Sequence, residues 1–133
     1  MVETQLTPEL IQEGETLVRN LDKGGASPDA ALWFYFSDIN AWKLLLAEVN
    51  VGAEGPREVY RSIQKTLQAL RNEVTHLSLE DVAVAKPDAP LIKLLSKALA
   101  TGPGISGIRF TGNVINGTLI EDAYIYRLAR PAA

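Results

Sequence analysis

Residues 104–128, GISGIRFTGNVINGTLIEDAYIYRL, read as one long β-hairpin. Asn116-Gly117 sets the turn, because both central positions of a two-residue hairpin loop need positive φ and these residues tolerate it best. Such a loop sets Ile115 opposite Thr118. Pairing then continues with Phe110 opposite Ala123, Arg109 opposite Tyr124, and Ile108 opposite Ile125. Alternation gathers Ile108, Phe110, Val114, Leu119, Ala123 and Ile125 on an apolar face. A polar and aromatic face receives Arg109, Thr111, Asn113, Asp122, Tyr124 and Tyr126. Glu121 falls on the apolar face opposite Gly112. A strand glycine often marks a bulge, and a bulge at Gly112 would shift the outer half of this assignment by one residue. Without one, Glu121 lies at the sheet margin and reaches solvent or an arginine such as Arg127.

Working outward from the hairpin, Thr7-Pro8-Glu9 opens a first helix, with Thr7 as N-cap and Pro8 in the first turn. Leu6, Leu10, Leu17 and Leu21, widened by Ile11 and Val18, form its buried stripe. Lys23 and Gly24-Gly25 end it, with glycine in a left-handed cap. Ala30 to Phe36 reads as a strand, Ser37 to Asn40 as a turn, and Trp42 to Val49 as the returning strand. Trp33, Tyr35, Leu44 and Leu46 share one side of this pair; Leu32, Phe34, Phe36 and Leu45 share the other. Strands apolar on both faces are covered on both, which places the pair centrally in a sheet. The turn signal and aromatic density favour this hairpin over one continuous helix from Ala30 to Val49.

Gly52 to Pro56 is a loop. A second helix follows to about Asn72, with Val59, Ile63, Leu67 and Leu70 buried and Arg57, Arg61, Lys65 and Arg71 solvated. Leu79 to Ala85 is expected as a short strand. Asp88 caps a third helix with Pro90 in its first turn and Leu91, Leu94, Leu95, Ala98 and Leu99 on its apolar face. Gly102-Pro103-Gly104 stops that helix. The expectation is an α+β domain spanning residues 1–133, with element order αββαβαββ. A single mixed five-stranded sheet is packed with three helices and ends in the long hairpin. Right-handed parallel crossovers are the natural form of the two helix-containing connections.

Composition narrows the chemistry. The 133 residues carry a net charge of −3 and no cysteine. Disulfides, thiolate nucleophiles and cysteine-ligated metals are thereby excluded. The mild acidity argues against a nucleic-acid partner. Residues 1–8 resemble no secretory signal, and no apolar run approaches the roughly 20 residues of a membrane span, so a cytoplasmic protein is expected. Asn116-Gly117-Thr118 matches a glycosylation sequon by chance; turn chemistry accounts for it.

No catalytic set assembles. His76 is the sole histidine and follows the second helix, a position that reads as structural or surface rather than catalytic. Glu80-Asp81, Glu121-Asp122 and Glu48 are strand-borne acids of the kind that hold Mg²⁺ in hydrolases and nucleases. The lysine that nuclease strands carry two or three positions later is absent after Glu48 and after Glu121-Asp122. Adjacent strand residues also face opposite ways unless a bulge intervenes. Residues 102–107 are glycine-rich but run from helix to strand, the reverse of a phosphate loop. No cofactor is implied. The reading that results is a binding module acting through protein–protein association or self-association, on Arg109, Thr111, Asn113, Asp122, Tyr124 and Tyr126. The alternatives are an Mg²⁺-dependent hydrolase using Asp122 with Glu121 or Asp81, and a single-stranded nucleic-acid platform on the aromatic sheet face.

Overall fold

The computed structural model describes residues 5–24, 28–47, 57–86, 89–99, 101 and 104–128. Its elements are α1 (Pro8–Lys23), β1 (Ala30–Phe36), β2 (Ala41–Ala47), α2 (Arg57–Ala69), β3 (Val82–Ala85), α3 (Pro90–Ala98), β4 (Ile108–Ile115) and β5 (Thr118–Leu128). The expected order and class are what the chain adopts. The strands form one mixed sheet in the order β3-β2-β1-β5-β4. The expected central pair lies inside it, and β2 and β3 run parallel around α2. The second crossover departs from expectation. It joins strands at opposite edges of the sheet, and the antiparallel β1–β2, β1–β5 and β4–β5 pairings make β3 and β4 run in opposite senses.

Two apolar layers result. On one face α1 and α2 pack Leu10, Leu17, Val18, Leu21 and Ile63 against Trp33, Trp42, Leu44, Leu46 and Tyr126. On the other, Ile92 and Leu95 of α3 meet Leu32, Phe34, Leu45, Ile120, Ala123, Ile125 and Leu128. Burying a large apolar side chain stabilises by about 1.5–3 kcal/mol, so both layers are substantial.

Local chemistry sets the element ends, and several differ from expectation. Thr7 Oγ1 accepts from the Leu10 amide, as a helix N-cap should. Gly24 closes α1 at φ −83°, so no left-handed cap forms there. Leu79–Asp81 is a 3₁₀ turn rather than strand, because the Asp81 carboxylate accepts from the Ser78 amide and hydroxyl in a capping box and curls the chain. The N-cap of α3 is Ala89, which has no capping side chain. In α3, Ile92 is buried and Ala98 exposed, a small rotation of the expected face. The expectations for Gly25, for residues 48–56 and for Asp88, Gly102 and Pro103 lie outside the described residues.

Two buried polar devices fix α1, one to the sheet and one to the segment after α2. The Tyr126 hydroxyl donates to the Ile11 carbonyl at 2.5 Å and accepts from Trp33 Nε1 at 3.0 Å. Gly14 makes room for it, since a Cβ there would overlap the hydroxyl and come within 2.8 Å of Trp33 Nε1. Glu13, buried on α1, accepts the His76 amide at 2.7 Å, the Leu77 amide at 3.0 Å and His76 Nδ1 at 2.6 Å. His76 is thus structural, though its partner is a carboxylate rather than a helix end.

Two stability predictions follow. Burial pushes the Glu13 carboxyl up, but its three donors outweigh that and hold it below the ordinary 4.5. The unfolded chain therefore takes up the proton first. Glu13's contribution is complete above pH 4.5 and lost as pH falls through the lower folded value. Glu13→Gln should cost about 1–3 kcal/mol at pH 7 and flatten the acid limb, measured by urea unfolding across pH 3–7. Gly14→Ala should lower the urea midpoint, by about 1–3 kcal/mol of overpacking. Helix propensity alone would favour alanine by about 1 kcal/mol, so the sign of the change reports the clash.

Candidate functional site

The hairpin pairs as its turn chemistry predicts. Ile115 faces Thr118, Phe110 faces Ala123 and Arg109 faces Tyr124. Asn116 and Gly117 take φ of 49° and 81°. Gly112, at φ 62°, breaks the alternation without shifting the register, because Thr111↔Asp122 and Asn113↔Ile120 flank the break symmetrically. Inside the break Ala123 and Ile125 face α3; beyond it Ile115 and Ile120 do so. Val114 and Leu119, expected in the core, instead point outward at 66% and 55% exposure. The correction has the cause anticipated for Gly112: the outer half of the hairpin turns over by one residue.

The turnover also brings Glu121 and Asp122 together. Alternation outward from Ala123 and inward from Ile120 sends both acids to the face opposite α3. There they line one open cleft of about 280 Å³ with Tyr35 and Trp42. The objection that neighbouring strand acids diverge does not apply to this strand.

The polar–aromatic surface centres on Asp122. Arg109 Nε and its terminal nitrogen Nη2 donate to the two Asp122 oxygens at 2.6 Å each, and Thr111 Oγ1 donates to Oδ1 at 3.2 Å. The Arg109 guanidinium also lies 5.6 Å from the Trp42 ring centroid, a cation–π contact. Trp42 in turn stands 5.5 Å from the Tyr35 ring, and the Tyr35 hydroxyl donates to Asn40 Oδ1. The paired guanidinium holds the Asp122 carboxyl below its usual range, against the opposing push of partial burial, and Arg109 is raised in return. Tyr124 is half-buried beside Tyr126, their rings 5.4 Å apart edge to face.

Two of the six anticipated residues lie elsewhere. Tyr126 is wholly buried in its hydrogen bonds to Ile11 and Trp33, and burial raises its phenol far above the ordinary value. A register shift between β1 and β5 at Ala31/Leu32 lets Tyr126 and Arg127 both turn toward the α1 side. Arg127 is then held by Asp22, at 2.7 and 3.0 Å, and is not turned toward Glu121. Asn113 pairs with Ile120 and so lies on the α3 face; its amide donates to the Thr111 carbonyl. The residues brought together are Arg109, Thr111, Asp122 and Tyr124. Trp42, Tyr35, Glu121, Val114 and Leu119 join them. Trp42 and Tyr35 were legible as aromatic strand residues, but nothing in the sequence tied them to the last hairpin.

Among the described residues no group of three or more His, Cys, Asp or Glu comes together to hold a metal. Asp81, the third acid considered, is buried beside β3 at the far edge of the sheet. Among the described residues no helix is long and apolar enough to cross a membrane.

The Arg109–Asp122 pair is solvent-accessible on both sides, so its forked geometry positions groups more than it stabilises the fold. A double-mutant cycle of Arg109→Ala and Asp122→Asn should return a coupling of about 0.2–1 kcal/mol in urea unfolding. A coupling of several kcal/mol would mean that the pair holds the hairpin itself in place. Comparison with protein-family models, with curated proteins and with solved structures finds no match to this chain.

Proposed function

We propose that the chain is a binding module that associates with another protein, or with its own copy, through the outer face of the β4–β5 hairpin. The observation carrying this is the Val114–Leu119 pair. Two large apolar side chains stand opposite one another on the solvent side of a hairpin that had a core available on its other face. They share their face with Arg109, Thr111, Glu121 and Asp122. An apolar pair beside an arginine and aromatic rings is the composition of a protein interface.

The surface is also pre-ordered. Arg109 is fixed by two carboxylate bonds and a tryptophan, so docking would freeze little further side-chain freedom. Docking by strand addition at the β4 edge is disfavoured, because Gly112 at φ 62° bends that edge away from a continuous ladder. The partner is therefore expected face-on. A metal-dependent hydrolase has less support. The two acids share a cleft, but one is occupied by Arg109 and no third joins them among the described residues.

Leu119→Ser and Arg109→Ala alter exposed positions and should unfold as cooperatively as the parent chain. Each should weaken association by about 1–2 kcal/mol, five-fold or more in dissociation constant. Sedimentation velocity over a concentration series reads self-association, and pull-down on the immobilised chain reads a different partner. Parent-like behaviour of both variants in both measurements removes the proposal.

A further inference from the structure

The cleft beneath this surface has a charge and a lining that specify more than a generic contact. Its walls are Tyr35 and Trp42 from the β1–β2 hairpin and Glu121 and Asp122 from β5. The two carboxylates differ in one respect. Asp122 is neutralised by the Arg109 fork, whereas Glu121 is exposed and has no ion-pair or hydrogen-bond partner among the described residues. Summing Arg109, Asp122 and Glu121 leaves the cleft one negative charge in excess. The β1–β2 turn beside it adds a further exposed acid, Asp38, and no cation.

Resting on the protein-binding reading above, we infer that this cleft receives a cationic side chain of the partner, an arginine or a lysine. Glu121 meets its charge, and the half-buried Tyr35 ring, with the small accessible part of Trp42, takes its aliphatic stem. Three arguments converge on a cation. Aromatic faces present negative charge and attract ammonium and guanidinium groups within about 6 Å. The uncompensated Glu121 repels an anion and gains less from a neutral donor than from a cation. The protein also seats a guanidinium of its own here, since Arg109 lies over Trp42 while it forks onto Asp122. A second cation placed between Tyr35 and Glu121 would repeat that arrangement one carboxylate along the strand.

Trp42, buried but for the small part that lines the cleft, is the local reporter. The other tryptophan, Trp33, is wholly buried with its indole N–H bonded to Tyr126. The probes are the blocked tripeptide acetyl-Gly-Arg-Gly-amide and its citrulline counterpart, which keeps the shape and loses the charge. Titrating the full chain with the arginine peptide should give a saturable change in tryptophan fluorescence at low salt. The citrulline peptide should bind at least ten-fold more weakly. Glu121→Gln, an exposed substitution, should reduce arginine-peptide binding several-fold while the urea midpoint stays that of the parent. Equal binding of the two peptides, no saturable response, or undiminished binding by Glu121→Gln each overturns the inference. Such a failure is distinguishable from failure of the docking surface. Loss of association in Leu119→Ser and Arg109→Ala with no preference for arginine would keep the surface and remove the cation site.

Discussion

Everything in this fold depends on how one strand manages its alternation. β5 runs for eleven residues between β1 and β4, so its side chains must serve the α1/α2 layer and the α3 layer in turn. A strict period of two would do so without exception. The strand breaks it twice. At Glu121-Asp122 two consecutive residues leave the α3 face, and at Tyr126-Arg127 two consecutive residues turn toward α1. The inner break provides the anchors: Tyr126 bonds Ile11, and Arg127 bonds Asp22 and the Pro28 carbonyl. The outer break provides the cleft and the exposed apolar pair. A regular strand of this sequence would leave Glu121 facing the core and hide Leu119.

The buried polar groups follow the same economy of position. Among the described residues Glu13, Asp81 and Arg127 are the charged side chains that are buried. A lone charge in that setting is costly, and removing one partner of a buried pair typically costs roughly 3–5 kcal/mol. Each binds at a place where the chain changes direction. Glu13 receives the amides that follow α2, Asp81 turns the chain into β3, and Arg127 ties the end of α1 to the last strand. These contacts fix how the helices lie on the sheet, a matter that apolar packing alone leaves loosely determined.

Much of this was legible in residue order. The Asn116-Gly117 turn dictated the hairpin register, and the two apolar faces of β1 and β2 dictated a central position. Helix stripes in α1 and α2 named most of the first layer. What was not legible came from contacts distant in sequence. Gly112 signalled a break in alternation, but Val114 against Ile115 as the outward residue depends on where α3 lies. The register shift that buries Tyr126 arises from pairing with β1, some 90 positions earlier, as the 93-residue separation of its bond to Trp33 shows. The capping box at Ser78-Asp81 was local and could have been read; alternating valines drew the strand too far back. Trp42 and Tyr35 entered the site only through sheet order.

The site's location follows from a mismatch of lengths. β1 has seven residues and β5 eleven. The β1–β5 ladder is complete at Phe34↔Ala123, so Thr118 to Asp122 run on past it by roughly 16 Å at about 3.3 Å per residue. That overhang has a partner in β4 but, among the described residues, no paired strand on its other side. Its α3-facing side still finds cover, because Ile115 and Ile120 join the α3 layer. On the opposite side, among the described residues, the rings of Tyr35 and Trp42 at the end of the β1–β2 hairpin stand beside it. An overhanging hairpin covered on one side and open on the other would ordinarily carry polar residues outward throughout. Here the open side carries Val114 and Leu119 next to an arginine already locked in place. Such an arrangement leaves apolar area in solvent where the same hairpin had a covered face to hide it.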